Sequence, residues 1–333
     1  MSSEGVNSNA YKLKSIGSVF DTTTNNNIQD NLVEFFSWAL LEKGNYFNVT
    51  KGEQDHNGTD MSALRISGNQ HYASGQAWEG FRKNWVWQSG VTPPSGITAP
   101  LVGTNHAKPG VSGVYVDNTF YPNDSTGTYA HSIDHFNGRV IFDNAIPTTS
   151  NVQAEYSYRY ISTVYAANLP FLREIQYRTL GVPNGFSNDS KGEFEVPPEM
   201  RVQLPAIAVE LVPRRTFKGM RLGGGQYIYQ DVLIHCLAET SFERNRLLDI
   251  VSFQNNKTLQ MFNSNTIASS GAFPLDYRGI PVSGALDYPH LTESYKDSYI
   301  YLKDATVQGM EIINSNFSAG IVRFTTETAI TNL

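Results

Sequence analysis

Five groups of residues in this chain have types and spacings that could do chemistry or make a specific contact. Gly223-Gly224-Gly225, beside Arg221, is the one dense glycine cluster. A phosphate cradle needs G-x-x-x-x-G-K-[ST] after a strand, or G-x-G-x-x-G opening a helix, so that backbone N–H groups converge on the anion. Neither spacing occurs and a strand-like run follows, so the cluster reads as a hairpin turn. His131, Asp134 and His135 carry metal-ligand side chains. Strand alternation would put the two histidines on one face and Asp134 on the other, so a polar hairpin edge is expected and no metal. Cys236 is the only cysteine, and in a strand it shares a face with Val232, Ile234 and Ala238 while His235 points away. A nucleophilic thiol needs an exposed, electropositive setting, so a buried thiol is expected. No serine elbow, H-E-x-x-H pair or paired-carboxylate motif is present. No catalytic residue, no cofactor and no enzyme activity are therefore expected.

The other two groups could bind. The run from Trp78 to Trp87 reads Trp-Glu-Gly-Phe-Arg-Lys-Asn-Trp-Val-Trp. Trp78, Trp85 and Trp87 could form an aromatic surface that stacks on sugars, with Trp85 and Trp87 on one face of a strand. A packed core or a subunit interface would use the same residues. Arg214 and Arg215, followed by Lys218 and Arg221, form the densest basic run. On a loop they would serve intersubunit ion pairs, with Arg244 and Arg246 joining them from a helix.

Several elements must position these residues. Ile28, Leu32, Phe35, Phe36, Ala39 and Leu40 fall on one helical stripe, predicting a helix over about 28–42, capped by Asn26 or Asn27 and closed by Gly44. Strands are expected at 111–121, 138–142, 152–161, 206–212, 227–238, 299–303, 307–314 and 320–326. Thr240-Ser241-Phe242-Glu243 matches a capping box that opens a helix over 241–254. The fold class is α+β and β-rich: a mainly β region with one early helix over 1–165, a connector over 166–198, and an antiparallel sheet flanked by one or two helices over 199–333. Residues 1–24 and 90–113 read as extended arms.

Composition narrows the function. Charged residues make up 17 % of the 333, below the roughly 25 % of ordinary domains, and the net charge of −6 disfavours a broad grip on DNA or anionic membrane. One cysteine excludes an internal disulfide framework. The start, Met1 to Asn9, is polar, and no run approaches the roughly 18 apolar residues of a membrane span. A soluble protein made in a cytoplasm is expected.

The run Gly113 to Pro122 (Gly-Val-Tyr-Val-Asp-Asn-Thr-Phe-Tyr-Pro), His131, the run Phe136 to Asp143 and the run Val152 to Arg159 together resemble virion structural proteins of tailed, especially contractile-tailed, bacteriophages. Residues 204–326, with His235 to Glu239 ending a strand and Arg244 to Asp249 on a helix, resemble tail-terminator or neck proteins of such phages. The resemblance implies a tail-terminator-like sheet flanked by helices that closes into rings. Because terminators are shorter, region 1–165 would be an added outward domain on a neck or collar protein. It further implies a six-fold or twelve-fold ring of this chain within the virion. Its neighbours would be neck, connector, tail tube or sheath proteins, with DNA in the lumen and no membrane. A glycan-binding baseplate, fibre or collar-decoration protein is the competing expectation.

Overall fold

The apolar stripe Ile28, Leu32, Phe35, Phe36 and Leu40 produces helix α1, Thr24–Leu41, which the chain leaves through Gly44 at φ +84. Gly44 donates to Leu41 O and Asn45 to Leu40 O, satisfying the last carbonyls. This computed structural model describes residues 24–101, 110–166, 187–188, 194–195, 202–220, 225–272, 274–282, 287–314 and 317–330. The strands follow in chain order as β1 Phe47–Val49, β2 Arg65–Ile66, β3 Ala77–Glu79, β4 Gly113–Val116, β5 Thr119–Pro122 and β6 His131–Asp134. Next come β7 Arg139–Phe142, β8 Val152–Gln153, β9 Tyr156–Tyr158, β10 Ser162–Tyr165, β11 Ser187–Asn188 and β12 Phe194–Glu195. The long strands are β13 Ala206–Gly219, β14 Gln226–Ala238, β16 Lys296–Asn314 and β17 Phe317–Ile330, with β15 Thr258–Phe262 between them in sequence. Helices α2 Ser241–Ser252, α3 Ser264–Ser270 and α4 Tyr288–Ser294 connect them.

The N-terminal body is three small sheets, β2-β3-β7-β6, β5-β4-β8 and β1-β9, around a core that includes Val49, Trp78, Trp85, Val114, Val140, Phe142 and Tyr156. Two expected strands are shorter than the alternation suggested. Residues 111–121 turn back as the β4–β5 hairpin at Asp117 and Asn118, both at positive φ, the pairing that a tight hairpin turn requires. Residues 152–161 change partners midway, β8 pairing with β4 and β9 with β1, because Ala154 instead donates to Ser62 O.

The second body is a six-stranded sheet in the order β10-β13-β14-β17-β16-β15, antiparallel except for β10 alongside β13. The chain is thus mixed α+β and β-rich. Thr240 caps α2 by accepting from Glu243 N, as the capping box predicts. Ile207, Val209, Val232, Ile234, Cys236, Ile300, Leu302, Val322 and Phe324 line the sheet face that α1 and α2 cover. Alpha1 and β10 come from the region expected as a separate 1–165 unit, yet they belong to this sheet's core. The reverse link is the loop around Arg278. Ile133 N, at the edge of β6, donates to Arg278 O at 2.7 Å, and the Arg278 guanidinium pairs with Asp143 at 2.9 Å. Gly279, at φ +73, passes so close that a Cβ would sit 1.8 Å from Ile133 O.

Leu32 is fully buried between α1 and the sheet. Leu32→Ala is expected to cost about 2–5 kcal/mol and to lower the same urea transition that Phe324→Ala lowers. Two separable transitions, with Leu32→Ala moving only the one that Phe324→Ala leaves in place, would contradict a shared core.

Candidate functional site

The basic run lies on a strand, where a loop was expected. Beta13 continues past Pro213 because a bulge between Leu211 and Arg215 removes the ladder bond that proline cannot make. Gln230 Nε2 fills the gap by donating to Val212 O at 3.1 Å, and pairing resumes from Arg215 opposite Gln230 to Gly219 opposite Gln226. Arg214 and Lys218 are exposed. The Arg215 guanidinium lies 5.8 Å from the ring of Phe217, which is 55 % exposed. Arg221 and Gly223-Gly224 lie outside the described residues.

This strand is also half an edge. Beta10 covers β13 only over Ala206–Val209, and among the described residues no strand pairs with the outer side of 211–219. At the other side of the sheet β15 covers β16 only as far as Tyr301, leaving 303–314 likewise without a strand on its outer side. Beta15 itself is closed by side chains. Asn31 donates to Phe262 O and accepts from Phe262 N, both at 2.9 Å, and Tyr288 OH donates to Gln260 O at 2.9 Å. The two uncovered edges therefore sit at opposite sides and opposite ends of the sheet. Three antiparallel steps separate β13 from β16, so the two strands run in opposite directions.

On α2 the two arginines differ. Arg244 is buried, contrary to its expected place on an interface. It opens the inward stripe Arg244, Leu247, Leu248 and Val251, and its guanidinium folds back onto Asn245 Oδ1 at 2.9 Å. Arg246 is exposed on the outward stripe Phe242, Arg246, Asp249 and Phe253, whose two phenylalanines are 76 % and 79 % exposed. Beside it Tyr160 OH donates to Glu243, and that hydrogen bond pushes the phenol up to about 12.

The aromatic surface does not exist as expected. Trp78 and Trp85 are buried at 3 % and 0 % exposure, their indole N–H groups given to Gly75 O and Arg82 O. Trp85 stacks on Tyr156 at 4.4 Å, in space that only the bare Gly80 leaves free. Trp87 alone is half-buried and reaches a cleft. Residues 90–101 do not reach outward either. Thr98 O and Ala99 O accept from Tyr46 OH and Asn48 Nδ2, and Leu101 N donates to Ser157 Oγ, which holds the segment on its own body. The arm at 1–23 and the stretch 102–109 lie outside the described residues.

The hairpin edge expected here is formed by β6 and β7, but His131 and His135 are buried rather than on its polar surface. His131 Nδ1 contacts Tyr129 O at 2.8 Å, and burial lowers its pKa. His135 Nε2 accepts from Val111 N at 3.4 Å, and burial, with the nearby Arg159 charge, pulls it down to about 3. Asp134 accepts from the backbone and side chain of Asn137 and lies 3.4 Å from Arg139. Among the described residues no group of three His, Cys, Asp or Glu is placed to hold a metal. Cys236 is buried, its thiol pushed up by burial, and His235 on the opposite face pairs with Glu210 at 2.7 Å.

Comparison with known protein families finds no match, and comparison with curated proteins finds none. Among the described residues no helix is long and apolar enough to cross a membrane. The uncovered edges, rather than any reactive cluster, are the feature from which a function can be built.

The buried histidines fix a pH dependence. Both have lowered folded pKa values, so the folded state binds fewer protons than the unfolded chain below about pH 6.5. Their contribution is complete above that value and is lost as pH falls toward about 3 for His135. Glu34, raised by burial, acts with the opposite sign, losing its contribution as pH rises through its elevated value. Between pH 6.5 and 5 each histidine is expected to lower stability as pH falls, by at most about 1.4 kcal/mol per pH unit, against the opposite contribution of Glu34 in urea unfolding. His135→Asn should flatten that slope; an unchanged slope would refute the assignment.

Proposed function

We propose that this chain is a structural subunit of a tailed-phage virion that closes head-to-tail into a ring at the neck or upper tail. The observation that carries the reading is the pair of uncovered edges, 211–219 and 303–314, at opposite ends of one sheet. In a ring whose rotation axis lies along the strands there is no shift along them, so the two stepped edges interlock: β15 of one copy comes level with the uncovered 211–219 of the next, and the next copy's β10 comes level with the uncovered 303–314. A two-fold pairing of β13 with itself would set Arg214, Arg215 and Lys218 against their own copies, which like-charge repulsion opposes. The heterologous joint instead brings them toward Asp304, which is exposed on β16.

The reading places the sheet with α2 in the ring, like the terminators that residues 204–326 resemble, and the N-terminal body on the outside. Neighbouring neck, connector, tube or sheath proteins would dock above and below, with the Phe242 and Phe253 stripe as one available surface. On the sheet face away from α1, Arg323 pairs with Asp231 and Lys303 with Glu327, so DNA in a lumen would meet charges already neutralised. A structural role without catalysis fits this surface. The competing glycan-decoration reading loses the exposed tryptophan platform on which it rested.

The test combines negative-stain imaging with crosslinking. Wild-type protein is expected to form closed rings, and Arg214→Glu with Arg215→Glu is expected to stay folded and monomeric. Mixed single-cysteine proteins, Thr216→Cys with Thr258→Cys, which lie on one row of the sheet, should be joined by a short bismaleimide, and neither alone should be. Rings that survive the double reversal, or crosslinking of Thr216→Cys to itself, would sink the head-to-tail joint.

A further inference from the structure

Alpha1 shows its apolar stripe to the sheet and a second face, with Glu34 and Ser37, to a cleft of about 540 Å³ against the N-terminal body. That volume lies within the ~300–1,000 Å³ of small-molecule sites. Three of its lining residues hold a buried polar atom that lacks a hydrogen-bond partner: His135 Nδ1, Arg159 Nε and Thr163 Oγ1. His135 is 4 % exposed, and because its Nε2 accepts from Val111 N, the neutral ring carries its proton on Nδ1, a donor with nothing to receive it. Arg159 is fixed by Nη1 to Trp85 O at 3.3 Å and Nη2 to Gln88 Oε1 at 2.5 Å, which leaves Nε–H free. Glu34, on the opposite wall, makes no hydrogen bond or ion pair with the described residues, though it feels the Arg159 charge. The Trp87 indole completes the lining.

The chemistry of these groups selects the ligand. An anion would meet Glu34, Asp134 and Asp276 against a single arginine. A cation would leave the His135 and Arg159 donors unpaired, at the usual cost of buried unsatisfied groups. Hydroxyl groups can accept from both donors and donate to Glu34, and a pyranose ring offers C–H faces to an indole. We propose that this cleft binds a neutral, polyhydroxylated ligand of the saccharide class, held by Glu34, His135, Arg159 and Thr163 against Trp87. The site is separate from the sheet edges, so it stands or falls independently of ring formation.

The test is calorimetric titration of the full chain with D-glucose, D-galactose, N-acetyl-D-glucosamine and their β-linked dimers, with inorganic phosphate and spermidine as charged controls. At least one saccharide is expected to bind saturably, and neither ion. Trp87→Ala and Glu34→Ala should each weaken that binding about tenfold or more, with Tm showing that both remain folded; alanine is the best helix former at the Glu34 position. Absence of saccharide binding into the millimolar range would leave a cleft filled by water and overturn the proposal. Binding of phosphate or spermidine alone, or saccharide binding that both variants retain, would overturn it as well.

Discussion

Strands of thirteen to nineteen residues expose a broad apolar face, and that face has to be taken out of water. Alpha1 does much of this, and most of what is distinctive in the molecule follows from its placement. Its Leu32, Phe35 and Phe36 fill the sheet core, Asn31 closes the backbone edge of β15, and Asp30 accepts from Tyr165 on β10. The same helix turns Glu34 toward the N-terminal body. One element therefore seals one sheet face, blocks one sheet edge and supplies a wall of the cleft.

The treatment of edges is uneven. Beta15 is closed by Asn31 and Tyr288, and β6 is covered by the backbone of Arg278. Natural sheets that must stay solitary protect their edges with such covers, with proline, with bulges or with charge. Beta13 has Pro213, a bulge and three cations, devices that resist pairing with an identical strand but leave an acidic or neutral partner acceptable. Beta16 has Asp304 and Gly309 at positive φ, irregularities that shift its register without covering it. The molecule discriminates among partners for these edges more than it forbids them.

Local features were legible in the sequence, and long-range ones were not. The α1 stripe and its Gly44 exit, the Thr240 capping box and the burial of Cys236 each follow from a few neighbouring residues. The buried role of Arg244 was also readable, since it sits on the same i, i+3, i+4, i+7 stripe as Leu247, Leu248 and Val251. Asp117-Asn118 carried a hairpin signal that the surrounding β-rich run concealed. That α1 packs on strands far along the chain, or that β13 runs on past Pro213 by means of a bulge, depends on pairings that no local window contains. Nor does the sequence bring Glu34, His135 and Arg159 together, because one lies on α1 and the others on the separate connections that follow β6 and β9.

The partnership of α1 with the sheet has a consequence for synthesis. The helix leaves the ribosome before any of the strands it packs on, β10, β13 and β15, and 231 residues separate Asn31 from the Phe262 carbonyl that it binds. Until β15 has been made, Leu32 and Phe36 lack part of the surface they pack on. Folding of this body is thus a late event governed by non-local closure, slow by the measure of contact order. The nascent chain carries a greasy helix until β15 has emerged, and any truncation that removes β15 takes away the backbone that Asn31 binds.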